Sequence, residues 1–225
     1  MERKLHFRPG SSDERVLEEV LERRIYRRRK MNFDVESGEL WLDLGANIGA
    51  FALYCASREA EAVCYEPEPD CFQLLRRNVP NFECVESAVT NIKAETIPFW
   101  TSRRKLDHYR GTTVPTPAMS KRAARMLRNT HAGIFSGRHF DGVKMDIEGS
   151  EGGIIDDDLI PECEKLVLEY HLSRDPSMDN LARRLSILRR RFEHVQYPPE
   201  FDRLIAKGKD AKTFFDRMIF CRRDS

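Results

Sequence analysis

No apolar run in this 225-residue chain approaches the length of a membrane span, and neither sign of charge dominates it. A helix needs about 20 mostly apolar residues to cross a bilayer, and the opening Met1-Glu2-Arg3-Lys4 leads into no apolar core of the signal-peptide kind. With 38 Lys+Arg against 37 Asp+Glu and a net charge of +1, generalised binding to polyanions is excluded, although local basic stripes remain. The six cysteines (Cys55, Cys64, Cys71, Cys84, Cys163 and Cys221) include no C-x-x-C pair. That spacing removes the zinc-ribbon and dithiol readings, and several of these thiols lie in apolar runs, as small buried hydrophobes do. Repeats and low-complexity tracts are also lacking. The expectation is a reducing, cytoplasmic setting, no membrane partner, and one α/β domain over residues 1–225, for which the length suffices.

What is present alternates. Residues 12–30 read as one amphipathic helix within an N-terminal helical segment (1–35), with Ser12 or Asp13 as cap and Val16, Leu17, Val20, Leu21 and Ile25 as its stripe. The Arg23–Lys30 end is strongly basic, as a helix C-terminus favours. Strand 40–44, a helix from Gly49, strand 62–66, helix 70–78, a strand near 82–85 and another at 96–100 follow. Residues 103–130 read as a substrate-side insert: a polar loop carrying Tyr109 and Arg110, then a short basic helix over 121–129. Strands at 141–147 and 165–170, a helix from Asn180 to Phe192 capped by Asp179, and two late strands joined without a helix complete the pattern. Strand–helix alternation predicts a mostly parallel sheet covered on both faces, closing in an antiparallel C-terminal hairpin.

The most informative run is Asp43-Leu44-Gly45-Ala46-Asn47-Ile48-Gly49. An apolar strand, an acid and a glycine-bearing turn entering a helix make a nucleotide-cofactor cradle, with free helix N–H groups expected to face the ligand. Glu66, ending the next strand, stands where a carboxylate accepts two hydrogen bonds from a ribose diol. A dinucleotide site would prefer G-x-G-x-x-G, and Asn47 occupies the middle glycine's place; no Gly-Lys-Ser/Thr P-loop follows either. S-adenosylmethionine carries no phosphate and needs acceptors for its ammonium and ribose, which Asp43 and Glu66 supply.

A second constellation, Lys144-Met145-Asp146-Ile147-Glu148-Gly149-Ser150-Glu151, falls where the fourth strand should end, on the ligand side of an open sheet. Strand alternation puts Lys144, Asp146 and Glu148 on one side, and Glu169-Tyr170-His171 ends the next strand at the same rim. Three charges on one face of a central strand are costly without a task or partners.

Together with Glu66-Pro67 and Ser87-Ala88-Val89, these two signatures resemble the FkbM family of S-adenosylmethionine-dependent O-methyltransferases, in consistent order from about residue 13 to 171. The resemblance implies a Rossmann-like class I methyltransferase fold with a seven-stranded sheet. It implies cofactor contacts at Asp43, Gly45, Ala46, Asn47 and Gly49, a ribose contact at Glu66 and an adenine-side contact at Ser87 and Ala88. Such families methylate hydroxyls of sugars and related natural products, so the expected acceptor is a small molecule or glycan, with a deoxyhexose such as rhamnose as the specific expectation. Methyl transfer to a weakly acidic hydroxyl needs a base, a metal, or both. Asp146 or His171 is expected to take the proton, Glu148 to contact the acceptor or a metal, and Lys144, Glu169, Tyr109 and Arg110 to bind substrate. Asp146 and Glu148 are hard oxygen ligands suited to Mg²⁺ or Mn²⁺. Two rivals stand beside this reading. A nucleic-acid methyltransferase would draw on the basic 103–128 region, but this chain holds the carboxylates Asp146 and Glu148 where base-modifying relatives clamp a flipped base. The other is a non-catalytic cofactor-binding domain of a larger glycan-processing protein.

Overall fold

The computed structural model describes residues 5–101, 111–115, 119–121, 123–208 and 216–224. In chain order its strands are β1 (Leu40–Leu44), β2 (Glu61–Tyr65), β3 (Glu83–Val85), β4 (Ala88–Thr90), β5 (Thr96–Thr101), β6 (Gly111–Thr112), β7 (Arg125–His131), β8 (His139–Met145), β9 (Glu162–His171), β10 (His194–Gln196) and β11 (Asp216–Arg222). The helices are α1 (Asp13–Leu17), α2 (Ala50–Ser57), α3 (Pro69–Asn78), α4 (Glu151–Asp156), α5 (Met178–Arg191) and α6 (Glu200–Lys207).

The main sheet has seven strands in the order β10-β11-β9-β8-β1-β2-β3. Strands β3, β2, β1, β8 and β9 run parallel, and β11 runs antiparallel to both β9 and β10. This is a Rossmann-like, mostly parallel sheet in which β11 alone is reversed. Its central strands are short apolar runs buried on both faces, as parallel sheets require: Leu42, Leu44, Val143, Met145, Leu166 and Leu168 are fully buried. One face packs against α4, α5 and α6 through Ile154, Leu181, Leu185, Leu188 and Phe201. The other packs against the N-terminal segment, α2 and α3. The sheet order reverses between β1 and β8, so the carboxyl ends of these two strands and of their neighbours frame the ligand crevice.

Four expectations are corrected. The single helix over 12–30 is instead α1, a π-helical turn (Glu18–Glu22) and a break at Arg24, whose φ is +51°. The break turns Tyr26 and Phe33 inward, where they meet Phe51 and Trp41 edge-on at 5.2 and 6.1 Å; aromatic burial outweighs continued helix propensity. The basic end serves structure there: Arg27 pairs with Asp34 at 2.9 Å and Arg28 lies over the Phe220 ring. The expected basic helix at 121–129 is replaced by β7, part of a second sheet ordered β4-β7-β5-β6. The C-terminal hairpin contains α6, which buries Phe201. Finally, Ser177 rather than Asp179 caps α5, accepting from the Asn180 N–H at 3.3 Å. No helix among the described residues is long and apolar enough to cross a membrane, and all six cysteines are free thiols, five of them buried.

Candidate active site

The chain leaves β1 through a tight turn that only glycine permits at its first position. Gly45 has φ +78°, and a Cβ there would lie 1.8 Å from the Asp146 carbonyl oxygen. Gly49, at φ +89°, presses against Leu75, 2.9 Å from where a Cβ would sit, so it serves helix packing rather than ligand contact. Within the turn itself, residues 45–49, every N–H is engaged. The Gly45 and Ala46 N–H groups both donate to the Tyr65 carbonyl at 2.9 Å, and Gly49 donates to Ala46 at 2.8 Å. Asn47 donates its N–H to Glu66 Oε2 and Ile48 donates to Asn47 Oδ1, each at 2.7 Å. With every N–H from 45 to 49 satisfied, the turn has no donor of its own to spare for an anion, and the Glu66 carboxylate stands beside it.

Glu66 is 7% exposed and its second oxygen accepts the Glu68 N–H at 2.8 Å. Burial pushes its carboxyl up to about 7, against the two N–H donors and Lys144, which favour the charged form. The cleft it enters is lined by Gly45, Asn47, Glu66, Ala88, Phe99 and Asp146 among others. Ser87 also lines it, but its hydroxyl is engaged by Thr130 Oγ1 at 2.9 Å. The described part of the insert, Gly111 and Thr113, forms another wall of this cleft; Tyr109 and Arg110 lie outside the described residues. A second cavity opens on the other side of the turn, between the N-terminal segment and the sheet. Arg15, Glu19, Tyr26, Lys144 and Glu169 line it, and Asp146 and Glu148 line both.

Asp43 and Lys144 do something other than expected. They are direct neighbours in the β1–β8 register, and the ammonium sits 3.1 Å from Asp43 Oδ1 with both side chains nearly inaccessible. Lys144 also donates to the Gly45 carbonyl at 2.6 Å. Burial pushes the Asp43 carboxyl up while Lys144 pulls it down; at Lys144, burial is outweighed by Asp43, which holds the ammonium charged. The two directions disagree for the pair. The ionised state is the one the geometry supports, with the ammonium set between a carboxylate and a carbonyl oxygen. Asp43 does not line the cofactor cleft, so the pair braces the turn from beneath. Lys144→Met would strand the buried carboxylate, and we expect it to lower stability by about 3–5 kcal/mol, read by chemical denaturation.

The reactive cluster forms where β8 ends. The Asp146 N–H donates to the Leu44 carbonyl at 3.0 Å, and the chain then turns through Glu148 and Gly149, at φ +53° and +112°. Glu151, which sequence reasoning quoted but gave no role, organises this turn. Its buried carboxylate accepts the Ile147 and Gly149 N–H groups at 2.9 Å each and contacts His171 Nδ1 at 3.0 Å. The signal was a second acid close behind Glu148, on a helix too short to need it as a solvated charge. His171 ends β9 with its side chain 3% exposed, placing Nε2 3.7 Å from Asp146 Oδ1 and 3.6 Å from Glu148 Oε2. Burial lowers the His171 pKa, but Glu151, Glu148 and Asp146 together hold it well above the usual value. Asp146 Oδ1 is buried without a hydrogen bond. Thr112 donates to the Glu148 carbonyl at 2.6 Å and the Thr113 and Ser150 hydroxyls are bonded, which ties the second sheet to this turn. The structure thus unites Asp146, Glu148, Glu169 and His171 at one rim, while Lys144 lines the second cavity with its ammonium engaged by Asp43 and the Gly45 carbonyl.

No family model and no curated protein matches the sequence. Among solved structures the chain is similar to a protein of Pyrococcus horikoshii described as a transferase, at 14% identity and a TM-score of 0.44, covering 99% of this chain and 66% of that one. The chain therefore spans about two thirds of that protein's length. It is similar to precorrin-6y C5,15-methyltransferase from Geobacter metallireducens at 14% identity and a TM-score of 0.43, covering 84% and 82% of the two chains. It is also similar to a SAM-dependent O-methyltransferase from Thermotoga maritima at 15% identity and a TM-score of 0.41, covering 100% and 70%.

Proposed function

We propose that this chain is an S-adenosylmethionine-dependent O-methyltransferase of FkbM type acting on a hydroxyl of a sugar, in a small molecule or glycan. The observation that carries the reading is the saturated turn at 45–49 with the Glu66 carboxylate beside it. A dinucleotide pyrophosphate would meet no free N–H there and would face a carboxylate. A cofactor with a ribose diol and a cationic end suits the same surface. Glu66 would take the diol, with Ala88 and Phe99 lining the adenine side. S-adenosylmethionine supplies, when bound, an electrophilic methyl carbon.

The acceptor side is the second cavity, which meets the first at Asp146 and Glu148. Its carboxylates, Glu19, Asp146, Glu148 and Glu169, suit hydroxyl donors and disfavour phosphate, which speaks against a nucleic-acid backbone. An acceptor hydroxyl held between Asp146 and Glu148 would give its proton to that carboxylate pair. His171 stands behind the pair, with Nδ1 engaged by Glu151 and Nε2 facing both carboxylates. Calorimetric titration with S-adenosylmethionine and, in parallel, with NAD tests the reading. Binding of the first alone supports it and leads to screening deoxyhexose glycosides for methyl acceptance. Binding of NAD, or of neither, would sink it, and cofactor binding without transfer to any glycan would favour a non-catalytic module.

A further inference from the structure

Where the two cavities meet, Asp146, Glu169 and His171 each present one ligand atom, all within 4.8 Å of one another. Glu148, which the sequence paired with Asp146 as a metal ligand, is outside this group. We propose that Asp146, Glu169 and His171 form a divalent-cation site of Mn²⁺ type.

Two observations beyond the gathering of acids point to an ion. His171 is nine-tenths buried, and its Nε2 is aimed at Asp146 Oδ1 at 3.7 Å, too far for a hydrogen bond. Asp146 Oδ1, facing it, is buried and has no hydrogen-bond partner among the described residues. Ligands of a shared divalent ion, each about 2.0–2.6 Å from it, stand about 3–5 Å apart. The spacing is too wide for direct bonds and suitable for a common metal.

The surroundings of His171 follow the same logic. A metal-bound histidine commonly gives its other nitrogen to a carboxylate, which fixes the ring's orientation and tautomer. Here Glu151 holds Nδ1 at 3.0 Å and is itself fixed by two backbone N–H groups, so Nε2 is left to point into the cluster. One imidazole with two carboxylates is a mixed donor set that suits Mn²⁺ better than the oxygen-only preference of Mg²⁺ or Ca²⁺. Three protein ligands leave positions open toward the acceptor cavity. Cation binding stands on this geometry alone; its use in polarising an acceptor hydroxyl rests on the methyltransferase reading.

The test titrates Mn²⁺ into the full chain without other ligands, following loss of the free-ion signal by electron paramagnetic resonance. One saturable Mn²⁺ per chain is expected. Asp146→Asn and Glu169→Gln should each weaken it at least about tenfold, and Glu151→Gln by about 10–100-fold through the histidine, whereas Glu148→Gln should change it less than about threefold. Retained S-adenosylmethionine affinity in these near-isosteric variants certifies their fold. No saturable binding, or an effect of Glu148→Gln equal to that of Glu169→Gln, would overturn the assignment. Mn²⁺ binding without S-adenosylmethionine binding would leave the cation site standing and sink the methyltransferase reading; the reverse pattern would sink only the cation site.

Discussion

Glu66→Ala is expected to weaken S-adenosylmethionine binding by at least about a hundredfold. Hydrogen bonds to a charged group are worth about 1.5–3 kcal/mol each, and a ribose diol makes two of them to this carboxylate in the proposed pose. The same side chain satisfies the Asn47 and Glu68 N–H groups at 2.7 and 2.8 Å, so its removal also loosens the turn. Calorimetry would read the loss; an affinity within threefold of the wild type would refute the ribose role. The pH dependence has a definite sign. The Glu66 carboxyl titrates near 7 in the unliganded chain, and diol donation requires the carboxylate. Affinity should therefore fall as pH drops through about 7, by up to about tenfold per unit, with proton release on binding below that pH. Folding carries the opposite dependence. Because the folded value lies above the ordinary 4.5, Glu66 favours folding while protonated. That contribution is present below about 4.5 and lost as pH rises through about 7, a change of about 3 kcal/mol at 1.36 kcal/mol per unit. Melts of the unliganded wild type and Glu66→Gln at pH 5 and 8 would show it, with the wild type losing more on going to pH 8.

Such conflict between binding and folding marks the places where sequence reasoning was strong. The strands of the main sheet were legible because short apolar runs bounded by turn residues have few other uses, and the glycine turn because Gly45 leaves no alternative. The rest depended on partners far along the chain. Alternation set Lys144 on the same side as Asp146, but alternation cannot show that Asp43 is its register neighbour on the adjacent strand, and that pairing makes Lys144 a brace as well as a residue lining the second cavity. Residues 125–131 carry Arg125 and Arg128 at helical spacing, yet the backbone is claimed by β4 on one side and β5 on the other. Pairing of that kind leaves little trace in a strand with few buried side chains. The break at Arg24 is legible only once Phe51 and Trp41 are seen to offer Tyr26 and Phe33 a place to pack. Glu151 was in plain sight within a quoted motif, and its role emerged from the two N–H groups and the histidine that it gathers.

Asp146→Asn and Glu148→Gln are each expected to lower kcat by about 10²–10⁴-fold, the usual worth of positioned acid–base catalysis, with S-adenosylmethionine affinity unchanged within about threefold. A sugar hydroxyl ionises not far below the value of about 15.7 for water, so the attacking oxygen needs somewhere for its proton to go as the new bond forms. The two carboxylates are the acids that line both cavities, and Asp146 Oδ1 has no hydrogen bond to give up first. In the proposed pose Glu66 makes the cofactor's charged hydrogen bonds, which is why affinity should survive near-isosteric changes at Asp146 and Glu148. The double variant separates two ways in which the pair can act. Residues that serve one step as a unit lose activity non-additively, so a shared proton acceptor predicts a double variant little slower than the worse single one. Independent roles, with Asp146 orienting the oxygen or its metal and Glu148 alone taking the proton, predict losses that multiply. Retention of wild-type kcat in both single variants would remove the proton from this cluster altogether.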